Sequence, residues 1–202
     1  MKEPSAYRLS FTAGGLLLRE SKIALRAYDE LHHWDDVADN LISMNAFGER
    51  AATSTKRKVH EIKSRFEGRP ADLLMLALEC NDDTYRLALW YCTCATYTFI
   101  ADFARDVVRP KILTNDLVLT SEDYDRFFNL KADWHEELDG LRPSTARKVK
   151  QVTFRMLREA GLMSRENCLY PVHLDAQLRN IILADQPELV KTIPDLSLES
   201  II

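Results

Sequence analysis

Apolar residues recur at spacings of three and four along almost the whole chain, a period that predicts helices rather than strands. Residues 13–31, behind Thr12, place Leu16, Leu17, Ile23, Ala24, Ala27 and Leu31 on one side. A second helix follows with Asp35 as its cap and Val37, Leu41 and Ile42 as its apolar positions. A third, capped by Thr53 or Ser54, turns Val59, Ile62 and Phe66 inward and leaves a mostly positive surface. After Pro70 comes a short helix over 73–78, then the longest of the series, 83–108, which ends near Pro110 and forms the spine of the N-terminal half.

The next stretch, KILTNDLVL at 111–119, is irregular and rich in β-branched and turn residues. The domain junction is expected there, giving helical domains 1–115 and 116–202. Thr120-Ser121-Glu122-Asp123 opens the following helix with a capping-box-like sequence, and Tyr124, Phe127, Phe128 and Leu130 form its core side. A loop around Asp139-Gly140 leads into a helix over 142–161. Tyr170-Pro171-Val172 then reads as extended, Asp175 caps a small helix with Leu178, Ile181 and Ile182, and the tail from Gln186 reads as a docked extended end. The fold class is therefore all-α, two small packed helical domains. In the second, the order helix, short extended segment, helix is compatible with a winged-helix-like arrangement.

Charge changes the picture at one place. Residues 142–158, RPSTARKVKQVTFRMLR, hold Arg142, Arg147, Lys148, Lys150, Arg155 and Arg158 and no acid, in a chain of net charge −4. At about 100° per residue, Val149, Val152, Met156, Leu157 and Ala160 share one side of this helix and Arg147, Gln151, Arg155 and Arg158 the other. Pro143 and Ser144 mark its start and Gly161 its end. Such a stripe is either a solvated face or a placed anion-binding surface. A second basic cluster, diluted by Glu61 and Glu67, spans 50–69 with Arg50, Lys56, Arg57, Lys58, Lys63, Arg65 and Arg69. Phe154 points toward the basic side, where packing under a neighbouring segment is favoured over stacking on a base.

Composition excludes more than it selects. At 46% apolar and 29% charged residues the chain is an ordinary globular one. The uncharged run 87–101 would extend only about 22 Å as a helix, against a hydrocarbon core of about 30 Å, so it reads as a buried helix and not a membrane span. MKEPSAYRLSF has no apolar signal-peptide core, and Cys80, Cys92, Cys94 and Cys168 have neither zinc spacing nor a CxxC pair. A reducing cytoplasm is the expected location, with Cys92 and Cys94 as small buried apolar groups. The best material for an enzyme is His32-His33-Trp34-Asp35-Asp36 and Asp133-Trp134-His135-Glu136-Glu137. His32 with Asp35 or Asp36 has helical ligand spacing, yet no third ligand is readable and no phosphate loop, GxSxG or HExxH is present. No enzyme activity, cofactor or metal is expected.

SFTAGGLLLRES, TKRKVHEIKSRF, LALWYCTCATYTFIADFARDVV and SEDYDRFFNLKADWHEELDGLRPSTARKVKQVTFRMLREAGLM together resemble the BrxA family of the BREX bacteriophage-defence systems, over roughly residues 10–165. The resemblance implies a small all-helical cytosolic protein of two packed domains, partly similar to the antitermination factor NusB, which binds double-stranded DNA alongside other BREX components. It supplies no catalytic motif. The expected nucleic-acid contacts rest on charge and periodicity: Arg147, Lys148, Lys150, Arg155 and Arg158 first, then Lys56, Arg57, Lys58 and Lys63. Gln151 lies among them, and weak sequence preference is expected. The alternative is a protein adaptor whose basic faces meet acidic partners within the same defence complex.

Overall fold

The computed structural model describes residues 6–196. A 3₁₀ turn at Ser10–Ala13 precedes α1 (Leu18–Leu31), α2 (Trp34–Ser43), α3 (Ala52–Phe66), α4 (Ala71–Glu79), α5 (Asp82–Thr96) and α6 (Thr98–Phe103). A π-helical turn at Ala104–Val108 runs into α7 (Arg109–Leu113); α8 (Ser121–Ala132), α9 (Glu136–Asp139), α10 (Pro143–Glu159) and α11 (Ala176–Asp185) follow, then a 3₁₀ turn at Pro187–Thr192. The fold is all-α, as the periodicity predicts; among the described residues extended pairing is limited to two isolated antiparallel bridges, Val118 with Cys168 and Met163 with Leu169.

One buried apolar cluster runs through the described chain from Tyr7 to Ile193. Its centre is aromatic. Phe99 meets Tyr7 and Phe127 edge-on at 5.4 Å, and Phe103 meets Phe127 at 5.1 Å and Tyr124 at 5.4 Å, locking α6 to α8. Edge-to-face pairs of this kind add about 0.5–1.5 kcal/mol each beyond the burial of their area. Cys92 and Cys94 are fully buried, and desolvation pushes the Cys92 thiol up to about 12.

The first helix begins at Leu18, not at 13, because Leu16 and Leu17 form part of a strap in which Leu17 adopts φ 58°. Two distant side chains hold that strap. Arg65 on α3 donates to the Gly15 and Leu16 carbonyls at 3.0 and 3.1 Å, and Glu159 on α10 accepts from the Leu16 N–H at 2.5 Å. A Cβ on Gly15 would lie 2.1 Å from the Glu159 carboxylate, so only glycine permits this approach.

Other expectations shift for local reasons. Asp35 lies exposed in the first turn of α2, whose N-cap is His33, and α3 starts at Ala52 before Thr53 and Ser54 reach capping position. The spine is interrupted at Tyr97, whose hydroxyl donates to buried Glu61 at 2.7 Å, and then continues past Pro110. The wide turn at 104–108 precedes that proline, which lacks an amide donor and crowds the carbonyl four residues back. Leu130, placed on the core side of α8 by its spacing, is 60% exposed. The tail from Gln186 is a docked 3₁₀ turn, gripped by the Trp90 indole N–H on the Thr192 carbonyl at 3.0 Å; residues 197–202 of it lie outside the described residues. The capping box at Thr120 and Asp123 and the Asp175 cap form as read.

Candidate nucleic-acid interface

The basic stripe of 142–158 is the outward face of α10. Pro143 starts the helix with its fixed φ, and Gly161 at φ 78° ends it, with the Leu162 N–H returning to the Leu157 carbonyl at 2.9 Å. Val149, Val152, Met156, Leu157 and Ala160 are buried, while Ser144, Arg147, Lys148, Gln151 and Arg155 are exposed. Arg142, Arg147 and Lys148 meet no acidic partner among the described residues. Phe154 packs inward, its ring 6.0 Å from Tyr124.

The other three cations of this helix are engaged. Lys150 turns toward α8, bonding Asp125 at 2.8 Å and Ser121, and so joins the two helices rather than facing solvent. Arg155 pairs with Glu159 at 2.6 Å while remaining 60% exposed. Arg158 donates to the Asn167 side-chain carbonyl at 2.6 Å, a neutral partner that leaves its charge uncompensated.

The cluster on α3 shrinks more. Lys56 and Arg57 are exposed and without an acidic partner among the described residues, as is Arg50 just before the helix. Lys58 is wedged between Glu20 at 2.7 Å and Glu49 at 2.5 Å; partial burial pulls its pKa down, but these two carboxylates outweigh burial and hold it above the usual lysine value. Lys63 lies 3.8 Å from Asp35 and 3.9 Å from Glu67. Arg65 is fully buried and Arg69 is paired with Asp185 at 2.9 Å. The two basic surfaces are linked through the strap, because Arg65 and Glu159 grip the same Gly15-Leu16 backbone. Lys56 lies nine residues before Arg65 and Arg147 twelve before Glu159, roughly 13 and 18 Å along the two helices.

Sequence reasoning missed Arg165. After α10 the chain turns back through a tight hairpin: Ser164 N–H bonds the Cys168 carbonyl at 2.8 Å, and Ser164 Oγ accepts from the Glu166 and Cys168 amides, both at 3.1 Å. Asn167 adopts φ 62°. The returning extended segment pairs with residues ahead of α8, Leu169 N–H to the Leu117 carbonyl at 2.7 Å and Leu119 N–H to the Asn167 carbonyl at 2.9 Å. Arg165 and Glu166 sit exposed at the tip. The signal was Leu162-Met163 and Cys168-Leu169 flanking a short polar turn, but that turn lacks the usual glycine. The extended segment therefore lies mostly before Tyr170-Pro171-Val172.

The two histidine clusters make structural contacts. His32 ends α1 with φ 61°, and His135 is buried against the Tyr7 ring at 3.9 Å with Nδ1 3.0 Å from Glu137. Among the described residues no three His, Cys, Asp or Glu side chains gather as metal ligands. Asp102 accepts from Tyr7 at 2.6 Å, Arg105 at 2.5 Å and Lys131 at 3.2 Å; burial raises its pKa, yet these donors together hold it below the usual carboxylate value.

No helix among the described residues is long and apolar enough to cross a membrane. The chain is similar in fold to the crystal structure of an uncharacterized protein from Magnetospirillum magneticum, with a TM-score of 0.79 and 20% identity over 95% of this chain and 100% of that one. None of the curated proteins matches it. The BrxA family model matches residues 5–186, covering the strap, the spine and the basic helix alike, and the chain belongs to the BrxA family, which suggests a BREX-associated role.

Proposed function

We propose that this chain is a non-enzymatic, double-stranded-DNA-binding accessory of a BREX phage-defence system, working in the cytoplasm beside other BREX components. The observation that carries the reading is the outward face of α10, where Arg142, Arg147 and Lys148 stand exposed, with no acidic partner among the described residues, in a protein of net charge −4. A net-negative body repels a polyanion except where cations cluster, so approach is oriented by this face. Arg155 adds to it by exchanging Glu159 for phosphate; Arg158 contributes its uncompensated charge at the edge. Lys56 and Arg57 form a secondary contact, with Lys63 beside them only loosely held, 3.8 Å from exposed Asp35, whereas Lys58 and Lys150 are engaged by carboxylates of the chain at 2.8 Å or less.

The test is duplex binding against salt for the parent and for Arg147→Glu/Lys148→Glu, with folding checked by circular dichroism. Every phosphate that the protein no longer neutralises lowers the slope of log K against log salt by about 0.9. A folded variant whose slope falls by about two units supports the reading; equal slopes would overturn it.

The adaptor reading has an observation of its own. Arg126 and Leu130 are exposed on the flank of α8 away from Lys150, and Trp134, in the turn just beyond that helix, is 76% exposed beside the same hollow of about 560 Å³, which Val107, Pro110 and Phe127 also line. Arginine and tryptophan are among the residues that dominate protein–protein hot spots, so Arg126 beside Trp134 suits another protein. Retention of a BREX component after nuclease treatment, abolished in Trp134→Ala, would support it.

A further inference from the structure

Building on the DNA-binding reading above, we infer that residues 117–170 are a winged-helix reading head for B-form DNA: α10 lies in the major groove with Gln151 as a base reader, and the hairpin tip carries Arg165 to the flanking backbone and minor groove.

The order of elements carries this inference. An extended piece at 117–119, α8, the short α9, α10, and two extended pieces joined at 164–167 follow one another, with the first and last hydrogen-bonded together. That pairing ties the hairpin to the two-helix unit, so helix and hairpin present one surface. Arg158 fixes the relation further, because it stands on the outward side of α10 and holds Asn167 at the hairpin turn. This brace is seven residues beyond Gln151, about 10 Å along the helix. The major groove is about 12 Å wide, so a helix seated with Gln151 over the bases brings the hairpin over the bordering phosphates.

Gln151 has the chemistry of a reader. It is exposed and has no hydrogen-bond partner among the described residues, and it sits one turn from both Arg147 and Lys148. Its amide offers a donor and an acceptor in one plane, the pair that adenine N7 and N6 require. The flanking cations fix register on phosphate but carry no sequence information. Lys150, by neutralising Asp125 on α8, removes an acid that would repel the neighbouring strand. Glu166 remains exposed beside Arg165 and opposes its contact, which makes the tip a sensitive position. A-form RNA is disfavoured, since its major groove is too deep and narrow for a helix.

The experiment selects bound sequences from a random duplex pool and measures affinities for the parent, Gln151→Ala, Arg165→Ala and Glu166→Gln. The parent should enrich a short motif, and Gln151→Ala should lose preference at an adenine by roughly tenfold while keeping its affinity for unselected duplex and its salt slope. Arg165→Ala should weaken binding several-fold and Glu166→Gln should strengthen it, a gain that misfolding cannot imitate. An unchanged motif in Gln151→Ala, or hairpin variants that bind like the parent while Arg147→Glu/Lys148→Glu abolishes binding, would overturn the reading head and leave DNA binding standing. A parent that binds no duplex would overturn both.

Discussion

Arg65→Met tests the joint on which both basic surfaces depend. The guanidinium is fully buried and pairs with Glu61 at 2.8 Å while satisfying the Gly15 and Leu16 carbonyls. Methionine fills most of the volume but leaves Glu61, itself 4% exposed, with the Tyr97 hydroxyl as its remaining donor among these groups. Removing one partner of a buried pair costs about 3–5 kcal/mol, and each stranded carbonyl adds about 1 kcal/mol where it stays dry. With both carbonyls stranded the expected loss is about 5–7 kcal/mol. For a chain of this length that lowers Tm by roughly 10–28 °C. Urea denaturation followed by helical circular dichroism measures it directly. Arg65→Met/Glu61→Gln should recover about 2 kcal/mol or more, since a glutamine accepts from Tyr97 without a buried charge. A single variant losing less than about 1 kcal/mol, or a double variant no more stable than the single, would refute the reasoning.

Gly15→Ala should displace Glu159 and lower stability by about 1–3 kcal/mol, read as a fall in Tm, because its Cβ would lie 2.1 Å from the carboxylate. Lys58→Gln should leave the salt slope of duplex binding unchanged, since its charge is spent on Glu20 and Glu49, while lowering the urea midpoint; a reduced slope would return Lys58 to the DNA contacts. Asp102 and Glu20 both titrate below their ordinary values in the folded chain, so the stability they add is present above the unfolded values near pH 4 and is lost as pH falls through the lower folded ones. The urea midpoint should therefore hold from about pH 7 to 5 and drop below about pH 4, and Asp102→Asn should flatten that drop.

The sequence exposed the helices and the face of α10 because both follow from a local period. Val149, Val152, Met156 and Leu157 had to point one way if Arg147, Gln151 and Arg155 pointed the other. What escaped was pairing across distance. Nothing local marks Lys58 as the partner of Glu20 or Lys150 as that of Asp125, so charges counted as free were already engaged. Leu16 and Leu17 fit the helical period yet serve a strap, because Arg65 and Glu159, 49 and 143 residues from Leu16, hold its backbone. Leu130 shows the reverse error: its spacing fits a core position, but the neighbouring hollow leaves it open.

The two ends of the described chain cross over one another's halves. Tyr7 stacks on His135 and Leu16 is held by Glu159, while α11 and the last 3₁₀ turn settle on α4 and α5 through Asp185 and Thr192. Order of synthesis therefore matters to this molecule. The Leu16 amide is made 143 residues before the carboxylate that receives it, a wait of about 7–30 s at about 5–20 residues per second. Until then the buried side of the spine lacks its cover from both ends, and the nascent N-terminal helices stand as an open body needing protection from aggregation. A ribosome stalled before α10 would thus display a chain that no local rearrangement can close.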